Sequence, residues 1–312
     1  MIAALAGGVG GARLANGLAA ILPPGELTVV VNVGDDFEHM GLYICPDIDT
    51  VTYTLAGLND RERGWGVKGE TWSFMDAVRK LGGPDWFALG DRDLAKHVLR
   101  SERLRQGERL SLITADIASA SGIVQFVVPA SDDPVRSIVD TDEGQLGFQD
   151  YFVRRRCEPA FRSIRFEGAE AARPAPALLA ALAAPDLEAV VICPSNPVLS
   201  IGPILAIPGV SAALRTASAP RIAISPFIGG EAVKGPAAKI FRELGVVPGA
   251  AAVAGFYAGL VDAIMCDFSD SDAGKTVAGV EIVGGDTLMR DDAGQQRLAD
   301  DCRKLAAELR AR

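Results

Sequence analysis

The sequence predicts an α/β fold with a doubly wound, mostly parallel sheet. Three short apolar runs, at residues 2–6, 27–33 and 189–193, have the composition of strands that are buried on both faces. Leu14 and Leu18 follow the first run at helical spacing, so a helix lies between the first two strands. A strand–helix–strand unit of this length predicts a right-handed parallel crossover.

Composition limits the function classes. The 312 residues are 49% hydrophobic and 23% charged, which suits a globular enzyme with one large α/β domain or two smaller ones. The net charge of −9 argues against general nucleic-acid binding, which normally leaves a basic surface. An anionic small substrate remains compatible with this charge, because a local cluster of arginine, lysine or metal can bind it.

The cysteines and the apolar segments predict a cytoplasmic protein that does not enter membranes. The five cysteines are scattered, odd in number and contain no Cys-x-x-Cys pair, which fits a reducing compartment. The N-terminus has no basic segment before its apolar run, so no signal peptide is predicted. The apolar stretch 246–265 contains Pro248 and Asp262, and we expect a buried helix followed by a strand there.

The first turn, Gly7–Gly11, is a candidate anion site. Four glycines between a strand and a helix allow a phosphate to approach the backbone N–H groups closely. A tight turn is the alternative, although one or two glycines would suffice for it. The loop lacks the Gly-Lys-Ser/Thr of a Walker A motif, and Arg13 stands where a dinucleotide-binding loop needs a third small residue. The loop therefore indicates phosphate without specifying the ligand.

An acidic cluster follows the second strand. Asp35 and Asp36 come at its end, and Asp47 and Asp49 lie within fifteen residues of them. Carboxylates beside a phosphate repel it unless a divalent cation or a hydroxyl group lies between them, so a magnesium site or a clamp on a substrate hydroxyl is one interpretation. The other is that Asp49 only caps a helix that begins at Asp49-Thr50, with the remaining carboxylates solvated.

Residues 59–108 differ from the flanking chain, and we predict a helical insertion there between core segments 1–58 and 109–312. Charged residues, tryptophans and helical periodicity dominate this stretch. Within it, Arg92 either reaches an anionic or carbonyl group in the cleft or belongs to a capping turn with a surface ion pair. His97 is expected at a solvent-facing or satisfied helical position.

Further elements are predicted from the same patterns. They are a helix at 109–122, a strand at 123–129, a small hairpin or edge extension from 138–140 and 147–152, a helix at 175–182, a strand at 222–225 and a surface helix at 295–312.

Two later strands end in loops rich in proline, hydroxyl groups and glycine. Residues 194–197 follow one strand, and residues 225–230 follow the next. Together with the first glycine loop, they suit a nucleotide spread across the carboxyl ends of a parallel sheet. Proline-stiffened turns without a ligand are the alternative.

The ordered series of motifs resembles the 2-phospho-L-lactate transferase family of coenzyme F-420 biosynthesis. No single motif is specific, but the series covers residues 2 to about 290 with the family's spacing. The motifs are Gly7–Gly11, Val31–Asp36, Pro46–Val51, Leu89–Asp93, Ser131–Pro134, Phe148–Arg155, Pro194–Pro197, Ser200–Ile204 and Ser225–Gly230.

The resemblance implies a magnesium-dependent transferase with a Rossmann-like fold, a helical addition that contributes to the acceptor site, and a homodimeric assembly. Its donor would be a guanosine diphosphate ester of a lactyl, enolpyruvyl or glycerate-type acid, and its acceptor the deazaflavin Fo. The terminal ribityl hydroxyl of Fo would attack the phosphorus that bears the acid, and GMP would leave.

Site roles follow from combining the resemblance with the motifs. Asp49 matches the family's acidic residue near magnesium and the Fo hydroxyl, and Asp47 is the second expected metal ligand. Asp35 and Arg92 are expected at the acceptor, with Arg92 also a catalytic candidate. The donor nucleotide and its phosphates are expected at Gly8, Val9, Gly10, Gly11, Ser195, Asn196, Ser225 and Gly229.

Two rival functions remain open from the sequence. A nicotinamide-dependent oxidoreductase is compatible with the glycine turn, although Arg13 counts against it. A non-catalytic nucleotide-binding relative is the other, although it would have no need of Asp47 and Asp49 beside the phosphate loop.

Overall fold

The computed structural model describes all residues from 1 to 312. Its strands are β1 (Ile2–Ala6), β2 (Leu27–Val31), β3 (Phe37–His39), β4 (Leu42–Ile44), β5 (Phe126–Pro129), β6 (Arg136–Thr141), β7 (Gly144–Gly147), β8 (Phe161–Glu167), β9 (Ala189–Ile192), β10 (Arg221–Ile224), β11 (Phe227–Ile228), β12 (Glu231–Ala232), β13 (Ala263–Asp267), β14 (Thr276–Val277) and β15 (Val280–Gly285). Its α-helices are α1 (Gly8–Ile21), α2 (Pro46–Leu55), α3 (Ser73–Lys80), α4 (Asp91–Arg105), α5 (Leu110–Ala120), α6 (Pro176–Leu182), α7 (Gly202–Ala206), α8 (Val210–Thr216), α9 (Ala237–Glu243), α10 (Ala250–Phe256) and α11 (Asp292–Arg310).

Eight strands form the central sheet in the order β14-β15-β13-β10-β9-β1-β2-β5. Every neighbouring pair is parallel except β14 with β15. All residues of β1, β2 and β9 are buried, as expected for strands covered by helices on both faces. The predicted α/β fold with a mostly parallel sheet is confirmed.

After β1 the chain adds β2 and then β5 on one side of β1, and later it adds β9 and β10 on the other side. Strand β1 pairs with β2 on one side, where Ala6 lies opposite Val31, and with β9 on the other, where Leu5 lies opposite Ile192. The loops after β1 and β9 therefore meet at the carboxyl edge of the sheet. Such a switch in strand order opens a crevice in which doubly wound proteins bind ligands.

The C-terminal helix α11 packs against α1. A Cβ atom at Gly17 would lie 2.2 Å from the backbone oxygen of Gln295, so only glycine permits this close approach. The Asn16 amide also donates to the Gln295 side chain at 2.7 Å. The helix predicted at 295–312 is present but begins at Asp292, because the Asp291 carboxylate caps it by accepting from the N–H of Gly294 at 2.8 Å.

The hairpin or edge extension predicted near residue 140 is a hairpin of a separate sheet. Strands β6 and β7 form the hairpin, and β8 pairs with β6 to give a three-stranded antiparallel sheet. The second segment, predicted at 147–152, is strand only at Gly147, because residues 150–154 form a π-helical turn. The strand predicted at 123–129 is shorter than predicted. It begins at Phe126, and the exposed Val124 lies before it.

The predicted insertion contains α3 and α4, joined by irregular segments. A small core of Ile44, Met75 and Leu89 lies apart from the main core and joins the insertion to the β3–β4 hairpin. No sequence pattern predicted this hairpin, because each of its strands has only three residues.

No single helix is long and apolar enough to cross a membrane. Two short helical segments reach that length and apolar composition only when they are counted together, and they meet at a 91° bend: Pro197–Ala206 and Val210–Thr216.

All five cysteines are free and buried.

Candidate active site

A cleft of about 800 Å³ opens at the carboxyl edge of the sheet. The loops after β1, β9 and β10 form one side of it, and α2 together with the insertion contributes the facing side. Gly8, Val9 and Gly10 line this cleft, as do Asp35, Asp47 and Asp49. The cleft therefore lies where the strand order predicts a ligand-binding crevice.

Two free N–H groups lie at the start of α1. The first four N–H groups of a helix have no partner within it. Here the N–H of Gly7 donates to the Ser195 hydroxyl at 3.1 Å, and that of Gly8 donates to Asp47 Oδ1 at 2.8 Å. The N–H groups of Val9 and Gly10 have no partner in the chain. They form a small anion-binding element at the positive end of the helix.

Packing also explains the glycines of this turn. A Cβ atom at Gly10 would lie 2.3 Å from the backbone oxygen of Pro194, and one at Gly7 would lie 2.6 Å from the Cβ of Ser200. Gly11 is buried behind the cleft, and its Cβ would lie 2.6 Å from the Ser195 hydroxyl. Gly8 differs, because its φ of +65° favours glycine while its Cβ direction is open. Close packing and anion binding thus both constrain this loop.

Helix α2 begins at Pro46 rather than at Asp49-Thr50. Proline suits the first helical position because it has no N–H to satisfy. Asp47 and Asp49 consequently both lie in the first turn, where carboxylates favour the helix dipole. Being two residues apart, they leave the helix in different directions and contact different groups.

Asp47 connects the acidic cluster to the glycine loop. Its Oδ1 accepts from Gly8, and its Oδ2 accepts from the Asn32 amide at 2.9 Å. Asn32 in turn accepts from the N–H of Gly34 at 2.8 Å through its own oxygen. The chain segment after β2, the first turn of α2 and the glycine loop are therefore fixed relative to one another.

Asp49 forms a buried ion pair with Arg100 of α4. The guanidinium donates to both carboxylate oxygens, and its contact from Nη1 to Oδ2 is 3.0 Å long. Arg100 is 1% exposed, which an arginine tolerates only with such a partner. Sequence reasoning assigned no role to Arg100.

His97 lies between two carboxylates and not at a solvent-facing position. It is 1% exposed, with Nδ1 3.7 Å from Asp49 Oδ2 and Nε2 3.1 Å from Asp93 Oδ1. Asp93 also accepts from the Tyr53 hydroxyl. Asp49, Asp93 and His97 thus bring three possible metal-binding atoms within 4.8 Å of one another. The Arg100 guanidinium already supplies positive charge to this group.

Arg92 lies outside the cleft. Its side chain is exposed and donates only to the backbone oxygen of Lys68, at 3.4 Å. The rotation of α4 gives the physical reason: Asp93, His97 and Arg100 recur at intervals of four and three residues on the inward face, and Arg92 falls off that face. The i, i+4, i+7 spacing of these three residues is the sequence signal that could have identified the inward face.

Burial changes the ionisation of the carboxyl groups after β2. The pKa of Asp35 is raised by burial and by the nearby Asp47 carboxylate, and the pKa of Asp47 is raised to about 6, chiefly by burial. Asp35 Oδ1 has no hydrogen-bond partner. A cation between these carboxylates would relieve their repulsion, and carboxylate oxygens are ligands that Mg²⁺ prefers. The residues therefore fit a magnesium ion.

The opposite side of the cleft supplies hydrogen-bond donors. Asn196 uses its oxygen to accept from the N–H groups of Val198 and Leu199, and its buried Nδ2 has no partner. Ser195 is engaged by both backbone groups of Gly7, so its hydroxyl holds the glycine loop in place. Ser225 lines the cleft beside Ile228.

Gly229 is absent from the cleft lining. Its N–H donates to Asp270 at 2.6 Å, and its φ of +59° makes it a turn residue of the β11–β12 hairpin.

Four aromatic side chains line the cleft in two pairs. Trp86 and Phe87 lie with ring centroids 5.7 Å apart, and Phe148 and Phe152 stack with centroids 5.5 Å apart. Such rings can receive a flat apolar group, whereas the free N–H groups of the glycine loop can receive an anion.

Comparison with known proteins gives a consistent result. The family model described as 2-phospho-L-lactate transferase CofD matches residues 2–298. A phosphoenolpyruvate transferase from Kitasatospora aureofaciens is 42% identical over 99% of this chain and 98% of its own. A 2-phospho-L-lactate transferase from Methanococcoides burtonii is 40% identical over 91% of this chain and 92% of its own.

The fold also resembles solved structures. A crystal structure of a Bacillus halodurans protein superposes with a TM-score of 0.62 at 15% identity, covering 96% of this chain and 98% of that protein. At this identity the likeness concerns the fold alone. The relatives above are named as transferases, so the oxidoreductase alternative has no support.

Proposed function

This chain belongs to the 2-phospho-L-lactate transferase family, and from that premise we propose that it transfers a phospho-acid from a guanosine diphosphate ester to the deazaflavin Fo in coenzyme F-420 biosynthesis. The observation that carries the proposal is that one cleft is lined by the glycine loop, by a carboxylate cluster and by two pairs of aromatic rings. A transferase of this kind must hold a diphosphate, a reacting hydroxyl and a flat ring at once.

The donor diphosphate binds at the glycine loop in this proposal. The free N–H groups of Val9 and Gly10 contact its oxygens, and the unpartnered Nδ2 of Asn196 donates to the donor from the adjacent loop after β9. Ser195 acts by fixing Gly7. Ser225 lines the portion of the cleft assigned to the guanosine.

The acceptor ring packs against aromatic residues of the cleft in this proposal, and its ribityl chain extends to Asp49 and Asp35, which line the same cleft. The terminal hydroxyl oxygen attacks the phosphorus that bears the acid, the bond from that phosphorus to the GMP oxygen breaks, and GMP leaves. Asp49 orients the hydroxyl and accepts its proton. Arg100 keeps the Asp49 carboxylate in position. Because two substrates are held side by side, positioning supplies much of the rate and no covalent enzyme intermediate is required.

Magnesium is the proposed cofactor. Asp47 is its first proposed protein ligand, because the Asp35–Asp47 pair combines two neighbouring carboxylates with an unpartnered oxygen. A bound magnesium ion would offset the negative charge of the phosphates. That Asp49 also binds the metal stays a prediction, as do Arg92 at the acceptor, the homodimer and the cytoplasmic location.

Mass spectrometry of the products tests the proposed function. The protein is incubated with Fo, magnesium and the guanosine diphosphate ester of lactate, enolpyruvate or glycerate in separate reactions. We expect GMP and a phospho-acid diester of Fo in at least one of them, and no GMP when Fo is omitted. Absence of the Fo adduct with every ester would contradict the proposal.

A further inference from the structure

Arg13 is the residue that separates the glycine loop from a dinucleotide-binding motif, and the proposed function leaves it without a role. It projects from α1 four residues after Val9, so both residues lie on the same face of the helix. Both line the main cleft and a smaller cavity beside it. The Arg13 side chain is therefore adjacent to the free N–H groups at the start of α1.

Lys234 brings a second cation to the same place from a distant part of the chain. It follows the β11–β12 hairpin, lines the cleft and donates to the backbone oxygen of Gly64 at 2.8 Å. Gly64 in turn lines the smaller cavity together with Arg13, so the two cations lie in the same part of the cleft. Partial desolvation and the Arg13 cation lower the pKa of Lys234.

Neither cation has a carboxylate partner. No acidic group lies within 4.0 Å of either, although the chain has 40 acidic residues to 31 basic ones. Arg13 has one protein hydrogen bond, from Nη1 to the Met289 backbone oxygen at 3.1 Å. Most guanidinium donors of Arg13 and two ammonium donors of Lys234 thus remain available. Two unpaired cations that line one cleft repel each other, and an anion bound between them would turn this repulsion into attraction.

We propose that Arg13 and Lys234 together bind the phosphate oxygens of the donor diphosphate. This inference rests on the proposed function and adds to it the charged groups that recognise the donor. The guanidinium presents parallel N–H donors to phosphate oxygens, and the ammonium acts as a point charge from the opposite side. Val9 and Gly10 complete the site with backbone N–H groups.

Calorimetric titration with GDP and with guanosine tests this inference. Arg13→Gln and Lys234→Gln should each weaken GDP binding about tenfold, which corresponds to about 1.4 kcal/mol, and leave guanosine binding unchanged. Arg13→Lys should retain part of the affinity because it keeps the charge. Lys234 is exposed, so its substitution tests the inference even where a change at Arg13 disturbs packing against Met289.

Arg61→Gln is the matched control. Arg61 lines the smaller cavity beside Arg13 but is paired with Asp292 at 2.8 Å, so its removal should leave GDP binding unchanged. If the wild-type protein binds GDP and the Arg13 and Lys234 variants bind it equally well, the inference is wrong while the proposed function stands. Equal losses for GDP and guanosine would also overturn it, since no phosphate contact would be involved. If the wild-type protein does not bind GDP, both proposals are wrong.

Discussion

One side of the cleft is formed by loops at the ends of sheet strands, and the facing side is formed by α2 and the insertion. The strand-end side presents donors that have no protein partner, including the N–H of Val9 and Nδ2 of Asn196. The facing side presents carboxylates that are already held, since Asp47 is fixed by Asn32 and Asp49 by Arg100.

This difference indicates how the two sides divide the work. Donors without partners are stabilised when an anionic ligand binds, so the strand-end side supplies binding energy. Carboxylates held by neighbouring groups need no rearrangement when a substrate arrives, so the facing side supplies orientation. Three predictions on activity and ligand binding test this division, from the largest expected effect to the smallest, and a fourth concerns stability.

Replacing Asp49 with asparagine should give the largest loss. We expect the transfer rate to fall by about 1,000-fold, because the group that accepts the hydroxyl proton is removed. The sequence alone predicts unchanged melting behaviour, but the ion pair alters that expectation: Arg100 would keep an unpaired buried charge, at a cost of about 3–5 kcal/mol. Steady-state kinetics and chemical denaturation measure the two effects.

The double variant Asp49→Asn with Arg100→Gln separates chemistry from stability. It removes both charges of the pair, so part of the stability should return while the activity does not. Recovery of activity together with stability would remove Asp49 from the chemistry.

Replacing Asp47 with asparagine should raise the magnesium requirement. We expect the magnesium concentration for half-maximal activity to rise at least about tenfold, because one carboxylate ligand is lost. Activity titrated against magnesium after chelation measures this. Asp116→Asn removes the same charge at an exposed ion pair with Arg103 and should have no effect. An unchanged magnesium profile in the Asp47 variant would place the metal elsewhere.

Replacing Asn196 with aspartate tests the strand-end side. The new carboxylate keeps the oxygen that caps the turn at Val198 and Leu199, but replaces the unpartnered donor with a negative charge. GDP affinity should fall about tenfold while the melting temperature changes little. Direct binding measurements give the first value, and unchanged affinity would exclude this donor from the nucleotide site.

Replacing Asp36 with asparagine should change the pH dependence of stability. Burial raises the pKa of Asp36 to about 7, although Arg136 partly offsets this effect. The folded protein therefore holds a proton that the unfolded chain has released between about pH 4 and 7, and stability falls as the pH rises through that range. The asparagine variant lacks this loss and should gain on the order of 4 kcal/mol relative to wild type between pH 4 and pH 8.

Denaturation curves at pH 4 and pH 8 measure this gain. A constant stability difference between the two proteins across this range would show that Asp36 does not carry a raised pKa.

The sequence by itself determined the sheet, the glycine turn and the acidic cluster. The strands β1, β2 and β9 are encoded by runs of apolar residues, and Gly7–Gly11 by the steric freedom that a close turn requires. These are properties of a few consecutive residues, so they can be recognised without knowing what packs against them.

Only the tertiary structure decided which charged residues face the cleft. The rotation of α4 turns His97 and Arg100 inward and leaves Arg92 exposed, and this rotation is set by packing against the β3–β4 hairpin and α5. Lys234 likewise lines the same cleft as Arg13 although the two residues are far apart in the sequence. Contacts between residues distant in sequence depend on the packing of whole elements, which local patterns do not encode.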